Sequence, residues 1–453
     1  MTEDLHLLSP AAVTEHRAAF REAWTGVKPK VLLATTCRWF PTARLAIALA
    51  NAGCAVEAVC PSGHPLSRTG AVHQTYAYNG LLPLTSFAAA IAAAEPDMIV
   101  PGDDLATWHL QHLYRREQGS TKRGTLCALI EHSLGAPESF PIVYSRSAFI
   151  ELAQAEGVRA PKAEVIRNID DLKTWVTRMG FPTVLKANGT SGGDGVRIVH
   201  TLDQAELALR TLQAPPLLAR AAKRALLDQD KTLVWPSILR RRSVVNAQAF
   251  VVGHEATSTI ACWKGSVLAS LHFEVVNKAS SAGHATVVRL IENAEMSAAV
   301  EKMTRRLSLS GLYGFDFMLE AGTGNAHVIE INPRATQVGH LSLGPGHDLP
   351  EALYAALSGK AVQPAEKVTE KDTIALFPQE WIRDPESAFL QSGYHDVPWE
   401  EPEFVRDCVH NRRKQSAWYS RSSRKQASPA APSPNPITAP AKSHAVGLDW
   451  GSK

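Results

Sequence analysis

Gly314-Phe-Asp-Phe-Met-Leu-Glu-Ala-Gly-Thr-Gly-Asn-Ala-His-Val-Ile-Glu-Ile-Asn-Pro-Arg334 reads as two alternating strands joined by a Gly/Thr/Asn turn centred near Thr323. Side chains along a strand alternate between its two faces, so folding the segment about Thr323 sets Asp316 opposite Glu330 and puts Asn332 on the same face. Phe315, Phe317, Ile329 and Ile331 then turn to the other face, towards a core. Two carboxylates directly opposed across a sheet repel unless something positive lies between them. Two carboxylates and an amide suit Mg²⁺, which is commonly held by one or two carboxylates together with substrate phosphates. Arg334 follows as a fork-shaped donor for a carboxylate or phosphate. Taken alone, the same hairpin also fits an exposed acidic face on a surface ribbon.

Working outward, the next informative stretch is Lys186-Ala-Asn-Gly-Thr-Ser-Gly-Gly-Asp-Gly195. No Gly-Lys-Ser/Thr follows its glycines, so it is not the phosphate loop of the Walker type. A dinucleotide-binding turn would lead into a helix, whereas Val196 to His200 reads as a strand. The segment is therefore a long turn between two strands. Gly189, Gly192, Gly193 and Gly195 let backbone N–H groups approach an anion closely. Lys186 at the root is a point charge suited to phosphate. By itself such a loop is equally the tip of an ordinary hairpin.

The rest of the chain is organised around these two stretches. Residues 1–28 read as a helical extension. Residues 29–140 alternate strand and helix: Lys30 to Thr35 is a strand, Thr42 to Ala52 a helix, Ala55 to Cys60 a strand and Leu84 to Ala94 a helix. That alternation indicates a parallel, Rossmann-like sheet flanked by helices. The strand near Asp97 ends in Pro101-Gly-Asp-Asp104, at the edge of such a sheet where ligands sit. Asp103 and Asp104 either line a cleft there or cap the helix that follows. Residues 141–243 hold a helix over Ser145 to Glu156, strands over Pro182 to Lys186 and Val196 to His200, and a capping box at Thr201 to Gln204. Residues 244–365 are mostly strands with one long helix, Ala294 to Leu309. A C-terminal segment spans 366–425, and 426–453, rich in Pro, Ala and Ser, reads as a disordered tail. The fold class is α/β and α+β.

Composition narrows the function. A formal charge of +3 over 453 residues is too small for a polycation, so a nucleic-acid partner is not expected. No apolar run is long enough to span a membrane, and the N-terminus lacks the apolar centre of a signal peptide. The six cysteines form no CxxC pair and read as free thiols in a reducing compartment, with a cytoplasmic location.

A lysine-rooted glycine loop followed by Asp and then Glu-x-Asn-Pro-Arg resembles the ATP-grasp superfamily, in the branch of biotin carboxylase and carboxylate–amine ligases. The resemblance covers roughly residues 30–365 and implies two grasp lobes after a pre-ATP-grasp domain. It implies that Lys186 holds the α- and β-phosphates and that Gly189 to Gly195 covers them. Gln248 to Glu255 would form the interlobe hinge, with Gln248, Ala249 and Val251 meeting adenine and Glu255 the ribose. Asp316, Glu330 and Asn332 are similar to the magnesium ligands, and Arg334 would steady the acyl phosphate or the incoming carboxylate. Where relatives place a first phosphate lysine, about eleven residues before a glycine, this chain has Arg146, eleven before Gly157. The hinge residue that is often Glu is Gln248. The implied cofactors are ATP and Mg²⁺, or Mn²⁺ in its place. The implied partners are a small carboxylate and an amine, and a homodimer is compatible.

Two rival readings stay open: a biotin-carboxylase-like enzyme activating bicarbonate, and a nucleotide sensor without turnover. Other features carry less. Arg240-Arg-Arg242 is either a phosphate contact or a solvated loop. Lys278 and His284 flank a loop that faces substrate in related enzymes. The basic run from Arg406 to Lys425, interleaved with Trp418 and Tyr419, is either an anion-binding surface or a solubilising junction.

Overall fold

β1 (Lys30–Ala34) is apolar on both faces, which only a strand covered from both sides can satisfy. It lies inside a four-stranded parallel sheet with β2 (Ala55–Cys60), β3 (Val72–Ala77) and β4 (Met98–Pro101), in the order β3-β2-β1-β4. One face buries Leu32, Val59 and Ile99 against Phe87, Leu110 and Ile130 of the flanking helices. The other buries Val31, Leu33 and Val56 in a core that continues into the C-terminal part of the chain. This is a computed structural model, and it describes residues 28–118, 124–188, 195–218, 222, 234–240, 242–280, 283–360 and 366–410. The extension before Lys28 and the tail over 426–453 lie outside the described residues.

A second sheet is antiparallel, with β5 (Ala163–Ile166), β6 (Thr183–Ala187), β7 (Val196–Val199) and β8 (Val245–Ala249) in the order β5-β8-β6-β7. Helices Ile169–Met179 and Leu202–Gln213 cover one face, burying Leu172, Trp175 and Leu209 on Leu185 and Ala247. The Thr201 hydroxyl accepts from the Gln204 N–H at 3.3 Å, and the Gln204 side chain accepts from the His200 N–H at 2.9 Å. The sequence reading opened the C-terminal unit at 244. Yet β8 hydrogen-bonds between β5 and β6, because its alternating apolar residues complete this smaller core.

The third sheet has seven strands: β9 (Gly253–Trp263), β10 (Ser266–Lys278), β11 (Ala285–Leu290), β12 (Gly311–Glu320), β13 (Ala326–Asn332), β14 (Thr373–Leu376) and β15 (Tyr394–Asp396). They run in the order β13-β12-β9-β10-β11-β14-β15, antiparallel except for β14 with β15. Helix Ala294–Arg306 ends three residues before the expected Leu309, and with helix Arg146–Ala155 it packs Met296, Val300 and Phe149 on Phe315 and Phe317. The segment from 366, left apart by the sequence reading, supplies the last two strands at one end of the sheet, β14 and β15. It also returns helix Pro402–His410, whose Phe404 and Cys408 are fully buried in the shared core. Its strands are too short for periodicity to show. No helix among the described residues is long and apolar enough to cross a membrane.

Candidate active site

β12 and β13 pair with Gly314 opposite Asn332, Phe315 opposite Ile331 and Asp316 opposite Glu330. The register then slips by one residue, so that Phe317 faces Val328 and Ile329 is the extra residue of a bulge. This corrects the expected core face: Val328, fully buried, replaces Ile329 beside Phe315, Phe317 and Ile331. The bulge lies next to the two carboxylates. Asp316 accepts from Thr257 Oγ1 of β9 at 3.0 Å and from Asn332 Nδ2 at 2.9 Å. Thr257 was missed by the sequence reading, since only the pairing of β9 with β12 brings it there.

Lys186, only 6% exposed, stands near the end of β6. Arg146 opens helix Arg146–Ala155, where the Ser145 hydroxyl caps the helix. The Arg146 guanidinium bridges the two sheets. It donates to Glu330 Oε1 from Nε at 3.0 Å and from Nη2 at 2.6 Å, and from Nη1 to the carbonyl of Ala187, the neighbour of Lys186. The positive charge demanded by the opposed carboxylates is thus supplied by a residue far away in sequence.

The electrostatics follow. Burial first, and then the charge of Glu330, pushes the Asp316 carboxyl up to about 6, against the hydrogen bonds from Asn332 and Thr257. Burial also acts to raise Glu330, but Arg146 and Lys186 hold it below the ordinary carboxylate range. Burial pulls the Lys186 ammonium down, assisted by Arg146 and opposed by Glu330, Asp316 and Glu255. Asp316 held so high in pKa is a carboxylate short of positive charge, which suits a cation. No group of three or more His, Cys, Asp or Glu able to hold a metal occurs among the described residues. Two carboxylates and one amide therefore fit Mg²⁺ only with phosphate oxygens completing its shell.

Arg334 lies against the N-terminal sheet. Its Nε pairs with Asp104 Oδ1 at 3.2 Å, and its guanidinium carbon sits 5.3 Å from the centre of the Trp39 ring. Its Nη2 donates to Asn332 Oδ1 and its Nη1 to the Ala335 carbonyl, both at 3.3 Å. Of the two neighbouring aspartates, Asp103 is the cap. It accepts from the Ala106 N–H, the Thr36 N–H and the hydroxyls of Thr35 and Thr36. Asp104 instead pairs with Arg334 and is one-third exposed. Trp39 was missed, although its place just past β1, at the ligand edge of a parallel sheet, was the signal.

The hinge is less uniform. Gln248 is buried within β8, and its carbonyl accepts from the Thr183 hydroxyl at 3.2 Å. The Ala249 N–H already donates to the Lys162 carbonyl at 2.9 Å. Val251 lies between β8 and β9, outside any strand. Glu255 pairs with Lys278 Nζ at 2.7 Å, and its charge reaches Lys186. Gly195 gives its carbonyl to the Ala187 N–H at 2.8 Å, while Gly189, Gly192 and Gly193 lie outside the described residues. His284 is half-buried, and desolvation pulls its pKa down to about 4, too low for an effective base near neutrality. Arg240 and Arg242 are exposed, as is Arg406; the rest of the basic run, from 411, lies outside the described residues.

The profile of the carbamoyl-phosphate synthase L chain, ATP binding domain, matches residues 145–342, a span that holds Arg146, Lys186, Glu330 and Arg334. Residues 145–342 are thus similar to an ATP-binding domain of the ATP-grasp type. The carbamoyl phosphate synthase large chain of Mesorhizobium japonicum is 22% identical over 211 residues, 45% of this chain and 18% of that relative. The chain thus spans about a fifth of the length of the curated relatives it matches. Among solved structures, the biotin carboxylase domain of Hydrogenobacter thermophilus 2-oxoglutarate carboxylase, in complex with MgADP, ADP and bicarbonate, superposes with a TM-score of 0.52 at 14% identity. That match covers 75% of this chain and 71% of that one. N5-carboxyaminoimidazole synthetase from Staphylococcus aureus, complexed with ADP, gives 0.51 at 14% identity, over 75% of this chain and 80% of that one. At these identities the likeness establishes the fold.

Proposed function

We propose that this protein is an ATP-dependent ligase that activates a substrate carboxylate as an acyl phosphate for attack by an amine. The observation that carries the reading is the meeting of Arg146, Lys186, Asp316 and Glu330 across two sheets at one cleft. A carboxylate is a poor electrophile. Its oxygen attacks the γ-phosphorus and ADP leaves; the amine then attacks the carbonyl carbon, loses a proton and expels phosphate. Phosphoryl transfer relies on positioning and charge neutralisation more than on a covalent protein group. Lys186 and Arg146 serve the phosphates, Arg146 exchanging Glu330 for a phosphate oxygen. Arg334 holds the carboxylate. Asp316, Glu330 and Asn332 would hold Mg²⁺, or Mn²⁺ in its place, which when bound supplies further positive charge to the phosphates. From the resemblance, Gly189, Gly192, Gly193 and Gly195 offer N–H groups to the phosphates, Gln248, Ala249 and Val251 meet adenine, and Glu255 meets ribose.

Six free thiols are consistent with a reducing, cytoplasmic setting. The Hydrogenobacter relative is described as a dimer, and a homodimer here is checked by sedimentation. For the reaction, nucleotide binding is measured with and without Mg²⁺ in the wild type and in Glu330→Gln. ADP release is screened over small acids and amino acids paired with amines, with bicarbonate as a separate arm. Mg²⁺-dependent binding lost in Glu330→Gln supports the site. Equal affinity and turnover in all four cases contradict it, and ADP release with bicarbonate alone moves the chemistry to carboxylation.

A further inference from the structure

We infer that Asp104, supplied by the N-terminal domain, binds a cationic group on the substrate, so that the carboxylate activated here belongs to an amino acid. The inference rests on the reading of Arg334 as the holder of that carboxylate. Asp103 already does the capping of helix Asp104–Glu117, which leaves the Asp104 side chain free of that duty. Asp104 is one-third exposed, and its charge reaches both Arg334 and Arg146, which places it in the cleft. The domain that carries it is tied to the Arg334 loop by two short bonds: Thr107 Oγ1 donates to the Pro333 carbonyl at 2.6 Å, and the Ala335 N–H to the Pro101 carbonyl at 3.0 Å.

The donor count of Arg334 is informative. A guanidinium has five N–H groups. Nε serves Asp104, and one N–H on each terminal nitrogen serves Ala335 or Asn332. One N–H on each terminal nitrogen is left, the pair that a carboxylate takes in a two-pronged contact. The Trp39 ring lies along one face of the group. A simple carboxylate held there meets Asp104 as a like charge. A zwitterion meets it as a partner, because a carboxylate has lone pairs beyond the one facing Arg334 Nε and can accept from an ammonium.

The experiment is calorimetric titration of the full chain with the twenty protein amino acids, with and without Mg²⁺ and a non-hydrolysable ATP analogue. The best binder is then compared with the same acid lacking its amino group. A charge-assisted hydrogen bond predicts roughly 10- to 100-fold preference for the amino acid in the wild type. Asp104→Asn is expected to bring that ratio to within about threefold of unity, with nucleotide affinity changed by less than about threefold, and Asp104→Glu to recover part of it. A ratio unchanged in Asp104→Asn, or no preference in the wild type, overturns the inference. If nucleotide binds and no amino acid does, this inference falls while the ligase reading stands. If nucleotide does not bind, the ligase reading fails, and the amino-acid ratio still decides the role of Asp104.

Discussion

Arg146→Met removes the bridge between the two sheets and should be felt in three ways. Its guanidinium gives two bonds to Glu330 and one to the Ala187 carbonyl, and the two side chains of the pair are 12% and 21% exposed. Removing one partner of a buried ion pair costs about 3–5 kcal/mol. Glu330 keeps the field of Lys186 and some solvent, so about 2–3 kcal/mol is the better figure, or roughly 2–4 °C in melting temperature for a chain of this length. Nucleotide affinity should fall as well. A charge-assisted bond to phosphate is worth about 1.5–3 kcal/mol, but in the wild type the guanidinium must first leave Glu330, so the low end applies, near tenfold in Kd. Finally, Glu330 without its guanidinium is left to a divalent cation held with the phosphates, so the affinity of the variant for an ATP analogue should depend on Mg²⁺ more steeply than that of the wild type. Thermal melts, and calorimetry with the ATP analogue with and without Mg²⁺, read all three. Arg146→Lys, which keeps the charge but not the fork, should fall between. A variant that melts with the wild type and binds nucleotide as tightly would refute the bridge and its role in phosphate binding together.

Further outcomes follow from neighbouring features. Asp103→Ala removes a buried carboxylate that accepts five hydrogen bonds and should cost about 3 kcal/mol or more in urea unfolding, whereas Asp104→Asn next to it should stay within about 1 kcal/mol; equal losses would show that both are structural. Gly253→Ala would place a Cβ 1.9 Å from the Leu319 carbonyl oxygen at the start of β9, so β9 and β12 must part there, at about 1–3 kcal/mol in the same measurement. Burial holds His64, His109 and His284 neutral, with pKa values lowered from 6.5 to about 3, about 4 and about 4. The unfolded chain takes up these protons below about pH 6.5, so their contribution is complete above that pH and is lost as pH falls towards 4. The melting temperature should drop through that window, and a value at pH 5 equal to that at pH 7.5 would contradict the burial of these rings.

How much was legible in one chain can be judged residue by residue. Period two and a glycine-rich turn are local facts. They sufficed to put Asp316 opposite Glu330 and Asn332 on their face, and to show that the Lys186 loop joins two strands. The alternation of short apolar strands with helices in residues 29–140 likewise showed a parallel sheet. The bulge at Ile329 escaped, because one inserted residue leaves the apolar pattern of so short a strand nearly unchanged. Strands β14 and β15, of four and three residues, escaped because so short a run shows no periodicity.

What the sequence by itself determined was therefore which residues share a face within one element, since that depends only on the pitch of the backbone. The tertiary structure alone decided which distant groups meet. Arg146 finds Glu330 across 184 positions, Asp104 finds Arg334 from the helix that follows β4, and β8 joins the sheet of β5 and β6. Those choices come from burying apolar faces against one another and neutralising the charges that burial strands. No local periodicity records that balance, because it is struck between segments far apart along the chain.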